Sequence, residues 1–536
     1  MNTRLLITLT SLLLPLTSDG ALPQHDQYEH LGVRSCGASS CHGSAGVRNT
    51  YSVLQNEYIT WARHDLHSKA YDVLRNERSE RIAENLGLDA AHTAKICLDC
   101  HSDYVPRERR GLQFQLADGV ACEACHGGAE KWLGVHITGG GDKHEESLAA
   151  GLYPTEDPVA RAELCLSCHL GTKDKFATHE IMGAGHPRLS FDLQKFTDLQ
   201  PRHYRVDADY RERKKHVEDT RAWAIGQVAA SRQYMTLLQG SRMAGSGLFP
   251  ELGLFDCHGC HRSLKDQRWM PDASSPTPPG SVMLNDSSLA MSQAVAKAVA
   301  PAMTNSLNGA IRDLHAASQT DVASIRAAAG RLDGLLAQLG SRLDGMNFGA
   351  QSNAAIMSEL RSAAASYSDY SDAEQVTMAL DVFSGITRTM KGEVDSLYEV
   401  MADEDHFDPA VFAAVFTGAS TAGVARTTPA TPVSQPTAPP VATTQPLPRA
   451  PVMSERPAVS SRPAAVTSGD LGPHVVMADS LRIRAVPTVE GRVVGSLYQG
   501  NPVAVTERRG DWARIQWQDY GRTNEGWVAG RFLAAE

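Results

Sequence analysis

Ten cysteines fall into five pairs, and a histidine directly follows the second member of every pair. Four pairs have two intervening residues: Cys97 and Cys100 before His101, Cys122 and Cys125 before His126, Cys165 and Cys168 before His169, and Cys257 and Cys260 before His261. The opening stretch "CGASSCH" places four residues between Cys36 and Cys41, and His42 follows. Two thiols at this spacing with an adjacent imidazole fit c-type haem attachment, in which the thiols form thioethers with the vinyl groups and the histidine binds iron. The wider first pair reads the same way, because C-x-x-x-x-C-H also occurs in multihaem cytochromes. A disulfide framework would leave the histidines unexplained, and structural zinc does not require an adjacent histidine five times. Histidine fills 20 of 536 positions, so five such coincidences have chance odds of about one in ten million. The expected cofactors are five covalently attached haem c groups, with His42, His101, His126, His169 and His261 as proximal ligands.

The opposite face of each iron decides the chemistry. A second histidine there makes an electron carrier, whereas an open face makes a substrate site. Histidines outside the motifs crowd into residues 64–216. "WARHDLHSKAY" sets His64 and His67 three apart on one expected helical face, with His67 the stronger candidate. His136 lies ten residues beyond proximal His126, within reach of a neighbouring haem. "THEIMGAGHPRL" offers His179 and His186, and Pro187 biases His186 towards an extended loop. His92, His144, His203 and His216 read as surface or propionate-contacting residues. Four strong distal candidates for five irons leave one coordination open.

The elements that must position these groups change character along the chain. Residues 1–20 read as a signal peptide: one positive charge, the apolar run "LLITLTSLLLPLT" and small residues before a cut after Gly20 or Ala21. That run is too short to span a bilayer, no second candidate span follows, and a periplasmic or otherwise exported protein is expected. Residues 22–271 contain every cysteine and 17 of the 20 histidines, giving a mainly α, irregular multihaem domain in which porphyrins supply much of the apolar interior. Long helices are expected in "NEYITWARHDLHSKAYDVLRNERSERIAENLG" and "DTRAWAIGQVAASRQYMTLLQG". Residues 283–415 form an acidic helical hairpin or bundle without cofactor, with a capping box at Ser371 and Glu374. This segment carries most of the net charge of −10, either as a solvated helical face or as a guide for a basic partner. Residues 417–472, rich in Pro, Thr and Ala, read as a disordered linker. Residues 474–536 alternate short strands with glycine-containing turns.

This last stretch resembles a bacterial SH3-like domain through Leu481-Arg-Ile-Arg, Pro487, Gly495, Leu497, Gly500, Gly510-Asp-Trp512 and Gly526-Trp527-Val. The resemblance implies a small β-barrel with a cell-wall or protein partner. Residues 35 to about 270 resemble the multihaem cytochromes of the cytochrome c554 group. "GVACEACHGGAEKWLGVH", "AELCLSCHLG" with "THEIMGAGHPRLSFDL", and "FDCHGCHRSL" carry that likeness. It implies electron transfer between redox partners outside the cytoplasm, and His67, His136, His179 and His186 fit histidines of the group's corresponding motifs. The c554 cytochrome has four haems, one of them five-coordinate. A fifth haem, the helical segment and the terminal barrel are departures.

The leading expectation is therefore a pentahaem electron carrier between a redox donor and an acceptor. The alternative is a reductase acting on a small nitrogen or sulfur oxide at one five-coordinate haem. Pentahaem nitrite reductases carry lysine in their usual active-site motif, and no C-x-x-C-K occurs here. A third possibility, a redox scaffold located by its terminal barrel, is compatible with the first. The acidic balance gives no sign of a nucleic-acid partner. Arg107, Arg109 and Arg110 are candidates either for propionate pairing or for a solvated turn.

Overall fold

A computed structural model describes residues 21–48, 53–139, 143–245, 250–261, 277–278, 281–418, 471–477, 480–488, 493–498, 501–519 and 522–535. The expected signal peptide, and all but the edges of the expected linker, lie outside these residues. The chain divides into two compact units, Met1–Val424 and Ala425–Glu536. It is mainly α, with a β-sheet confined to the second unit.

The cysteine-bearing part of the first unit is built from short helices joined by turns: α1 (Glu57–His64), α2 (Glu77–Asn85), α3 (Lys95–His101), α4 (Cys122–His126), α5 (Trp132–Gly139), α6 (His144–Ala149), α7 (Pro158–His169), α8 (His179–Gly183), α9 (Leu193–Leu199) and α10 (Ala208–Arg213). The first long helix expected from periodicity is interrupted. Asp65 adopts extended backbone (φ −89°, ψ 123°), ends α1, and accepts a hydrogen bond from the His67 N–H that starts a separate 3-10 turn. Side-chain acceptors start several helices in the same manner. Asp157 caps α7 ahead of Pro158, Thr178 caps α8, and Asp192 caps α9. Gly127, at φ +82°, stops α4 immediately after His126, and a side chain on Gly128 would collide with His30.

The second expected helix is continuous. α11 (Asp219–Gln239) buries Trp223, Ile225, Val228, Met235, Leu237 and Leu238. One side of it meets α7 and α9. It also packs on α12 (Ser287–Val299), α14 (Val322–Asp344) and α16 (Tyr370–Thr387) of the acidic segment, which further holds α13 (Thr304–Ser318), α15 (Ala350–Ser362), α17 (Lys391–Val400) and α18 (Pro409–Phe416). A single apolar core runs from Trp223 and Leu238 through Leu289, Val295, Leu336 and Phe383. The acidic segment thus shares its interior with the helix that supports α7 and the fourth cysteine pair.

Several acidic residues of this segment also face basic residues of the cysteine-bearing part. Arg188 meets Glu374 at 2.7 Å and Glu404 at 3.2 Å, Lys195 meets Asp381 at 2.7 Å, and Arg232 meets Asp333 at 2.8 Å. The acidity seen in the sequence is in part an internal complement. The cap of α16 also differs from expectation: Asp369 accepts from the Asp372 N–H, and Ser371 is buried inside the helix.

The second unit holds strands β1 (Gly472–Val476), β2 (Ser480–Arg484), β3 (Val493–Tyr498), β4 (Pro502–Arg509), β5 (Trp512–Asp519), β6 (Arg522–Ala529) and β7 (Leu533–Ala535). They form one antiparallel sheet in the order β3-β2-β6-β5-β4-β1-β7. Alternate residues Val503 and Val505, Ala513 and Ile515, and Leu481 and Ile483 point into its core.

Candidate cofactor sites

Four motif histidines close the helix or turn that holds their cysteines, and each of the five faces one other histidine ring. His42 faces His136 at 6.0 Å between ring centroids, and His101 faces His186 at 6.3 Å. His126 faces His203 at 6.4 Å, His169 faces His67 at 6.1 Å, and His261 faces His179 at 6.1 Å. These are numbered sites 1 to 5 in the order of their motifs. Among the described residues they are the five histidine–histidine ring contacts, each with one motif member, and no histidine is used twice.

That spacing fits an iron between two imidazoles. Two metal–nitrogen bonds of about 2 Å, plus about 1.1 Å from each nitrogen to its ring centre, give about 6.2 Å between centroids. The hydrogen bonds agree with a metal on Nε2. His42 Nδ1 donates to Glu57 at 2.9 Å, His67 Nδ1 to Asp65 at 2.8 Å, His101 Nδ1 to the Ala70 carbonyl at 2.9 Å, and His186 Nδ1 to the Pro187 carbonyl at 2.8 Å. Such partners fix the tautomer and leave Nε2 as the lone-pair donor. Leu66 and Ile137, next in sequence to His67 and His136, are exposed apolar side chains.

Burial favours the neutral form, which ligation requires, at five of these rings. It pushes His126 down to about 3, with His203 and Lys214 adding to the effect, and His169 down to about 4. His136, His186 and His203 are lowered, again chiefly by burial. His42 is raised by its bond to Glu57. At His67, burial lowers the value but Asp65 more than offsets it.

His203 was ranked with the surface histidines by sequence. It lies on the loop between α9 and α10, opposite His126. His64 ends α1 exposed and faces no other imidazole among the described residues, because the break at Asp65 separates it from His67. Of the other histidines, His92 meets Tyr71, His216 meets Tyr210, and His144 bonds Glu156 at 2.7 Å. Arg109 donates to the Asp26 and Gln24 carbonyls, and Arg110 donates to the Val105 carbonyl at 2.8 Å.

The cysteines also indicate which sites adjoin. The thiols of Cys36 of site 1 and Cys122 of site 3 lie close enough to influence one another, as do those of Cys100 of site 2 and Cys168 of site 4. One cavity is lined by His169 of site 4 and Cys257 of site 5. Glu123, inside the third motif, is 2% exposed and accepts from the N–H groups of Leu31, Gly32 and Ala129 at 2.6–2.8 Å. It ties the chain before site 1 to the helix that carries site 3.

Residues 33–127 match the family described as cytochrome c554 and c-prime. The similarity to that family is confined to this stretch, which carries the first three motifs. Residues 479–534 match the bacterial SH3 domain. The cytochrome match supports a c-type cytochrome's electron-transfer role and is consistent with covalently bound haem c. No curated protein and no solved structure matches the chain. Among the described residues, no helix is long and apolar enough to cross a membrane.

Proposed function

We propose that this protein is an exported pentahaem c-type cytochrome in which every haem is held between two histidines, passing electrons between a redox donor and an acceptor. The observation that carries the proposal is the set of five imidazole pairs at 6.0–6.4 Å, each joining a motif histidine to another histidine. The attachment residues are Cys36 and Cys41, Cys97 and Cys100, Cys122 and Cys125, Cys165 and Cys168, and Cys257 and Cys260. Haem c supplies one-electron chemistry when bound, its iron alternating between ferric and ferrous.

The chain's own contribution is placement. α4 and α7 hold sites 3 and 4 in the interior, α11 and the acidic helices brace α7, and the proximity of Cys36 to Cys122 and of Cys100 to Cys168 brings neighbouring sites together. Imidazoles on both sides leave no open position for a substrate, which favours a carrier over a reductase. Export follows from the amino-terminal signal sequence, since c-type haems in bacteria are attached outside the cytoplasmic membrane. Residues 22–271, 283–415 and 474–536 act as cytochrome region, brace and partner-binding module, the last for a protein or cell-wall ligand.

The test is intact mass and reductive titration of the purified protein. The proposal expects a mass corresponding to five haems and five electrons taken up per chain, with no spectral change when carbon monoxide is added to the reduced protein. Four haems, or a carbon monoxide adduct, would sink it.

A further inference from the structure

The five sites differ in what backs their imidazoles. At site 2 both rings donate to backbone carbonyls, His101 to Ala70 and His186 to Pro187. At site 1 the acceptor for His42 is the Glu57 carboxylate, and at site 4 the acceptor for His67 is Asp65. A carboxylate draws the Nδ1 proton away and makes the ring a stronger electron donor. This favours ferric over ferrous iron and lowers the reduction potential.

Sites 1 and 4 part company in their cations. The Lys175 ammonium lies 3.3 Å from Cys168 Sγ at site 4, held by the Asp99 carbonyl at 2.7 Å and Gln24 Oε1 at 2.6 Å. A positive charge so close to the attachment sulfur favours the reduced iron and offsets Asp65. At site 1 the Lys214 charge acts through space on the opposite ring, His136, and among the described residues no cation bonds Glu57. Its other oxygen accepts from the backbone N–H groups of Leu54 and Gln55, both at 3.0 Å. Those two bonds fix the carboxylate in place under His42, and the side chain is only 17% exposed. The ring planes at site 1 are also close to parallel, at 15°, which adds to the stabilisation of ferric iron.

Building on the five-site proposal, we infer that Glu57 is a positioning residue that makes site 1 the lowest-potential haem of the five, while Lys175 raises site 4. Haem held at site 1 would then be positioned to pass electrons towards site 3, whose Cys122 neighbours Cys36.

The test is a spectroelectrochemical titration of the full-length holoprotein with EPR sampling, haem content being measured in each sample. In the unmutated protein the most rhombic low-spin signal, that of the near-parallel pair, is expected to disappear last on reduction. Glu57→Gln is expected to move the lowest potential upward and leave the other four in place. Glu57→Asp, which keeps the charge, returns it towards the original value, and Lys175→Gln moves a different potential downward. A rhombic signal lost early, or a Glu57→Gln protein with five haems and an unmoved lowest potential, would overturn the inference. A haem content below five in the unmutated protein would instead count against the five-site proposal.

Discussion

His203 stands 6.4 Å from His126, ring to ring, with the two planes at 89°. A loop histidine thereby faces a motif imidazole whose pKa burial pushes down to about 3. This one pair separates a carrier with five closed haems from an enzyme with one open site.

Replacing His203 with alanine is therefore expected to open site 3 alone. The oxidised variant should show one high-spin haem per chain, and its reduced form should bind one carbon monoxide. His64→Ala, by contrast, should leave the spectrum unchanged, because His64 is exposed and faces no imidazole. Optical and EPR spectra of the two variants check both outcomes.

Glu123 satisfies three backbone donors from an almost fully buried position. Glu123→Ala would strand these N–H groups, each at about 1–3 kcal/mol. A loss of roughly 3 kcal/mol or more in chemical denaturation is expected, together with poorer haem incorporation at sites 1 and 3.

His30 predicts a pH dependence. It is fully buried, with Asp103 at 2.8 Å and Asp26 at 3.7 Å. Burial alone would lower its pKa, but the hydrogen bond to Asp103 and the nearby Asp26 carboxylate raise it from 6.5 to about 10. The folded state thus holds this proton more tightly than the unfolded chain does. The resulting stability is complete below pH 6.5 and disappears as pH rises towards 10. Denaturation midpoints should fall across that window, and the fall should be smaller in His30→Gln.

Leu336 in α14 is fully buried in the core that α11 shares with the acidic helices. Leu336→Ala should cost about 2–5 kcal/mol. Removal of residues 283–418 should prevent the cytochrome region from folding, whereas removal of residues 425–536 should leave its melting unchanged. Calorimetry of the three proteins distinguishes these effects.

Motif spacing alone pointed to the proposed attachment cysteines and the five adjacent histidines, because covalent chemistry demands a local pattern. The amphipathic run of α11 was equally legible, as was the strand alternation of the terminal sheet. Distal ligands have no such local rule. His67, His136, His179 and His186 drew attention through neighbouring motifs and Pro187, whereas "PRHYRV" around His203 carries no spacing signal. The shortfall of one ligand against five irons was the available hint. The break between His64 and His67 depends on the Asp65 carboxylate capping the following turn, which helical periodicity does not register. The internal pairing of the acidic segment required tertiary structure, since Arg188 and Glu374 are 186 residues apart.

The low-temperature EPR spectrum of the oxidised full-length protein, with haem quantified in the same sample, tests the central claim most directly. Ring planes are near perpendicular at sites 2, 3 and 4, at 83°, 89° and 90°, and closer to parallel at sites 1 and 5, at 15° and 35°. Perpendicular rings leave two iron d orbitals nearly equal in energy and give strongly anisotropic low-spin signals, while parallel rings split them and give rhombic ones. Five low-spin haems are expected, three of the first type and two of the second. A high-spin signal approaching one per chain would contradict the account and return the question to reduction of a small molecule at an open iron.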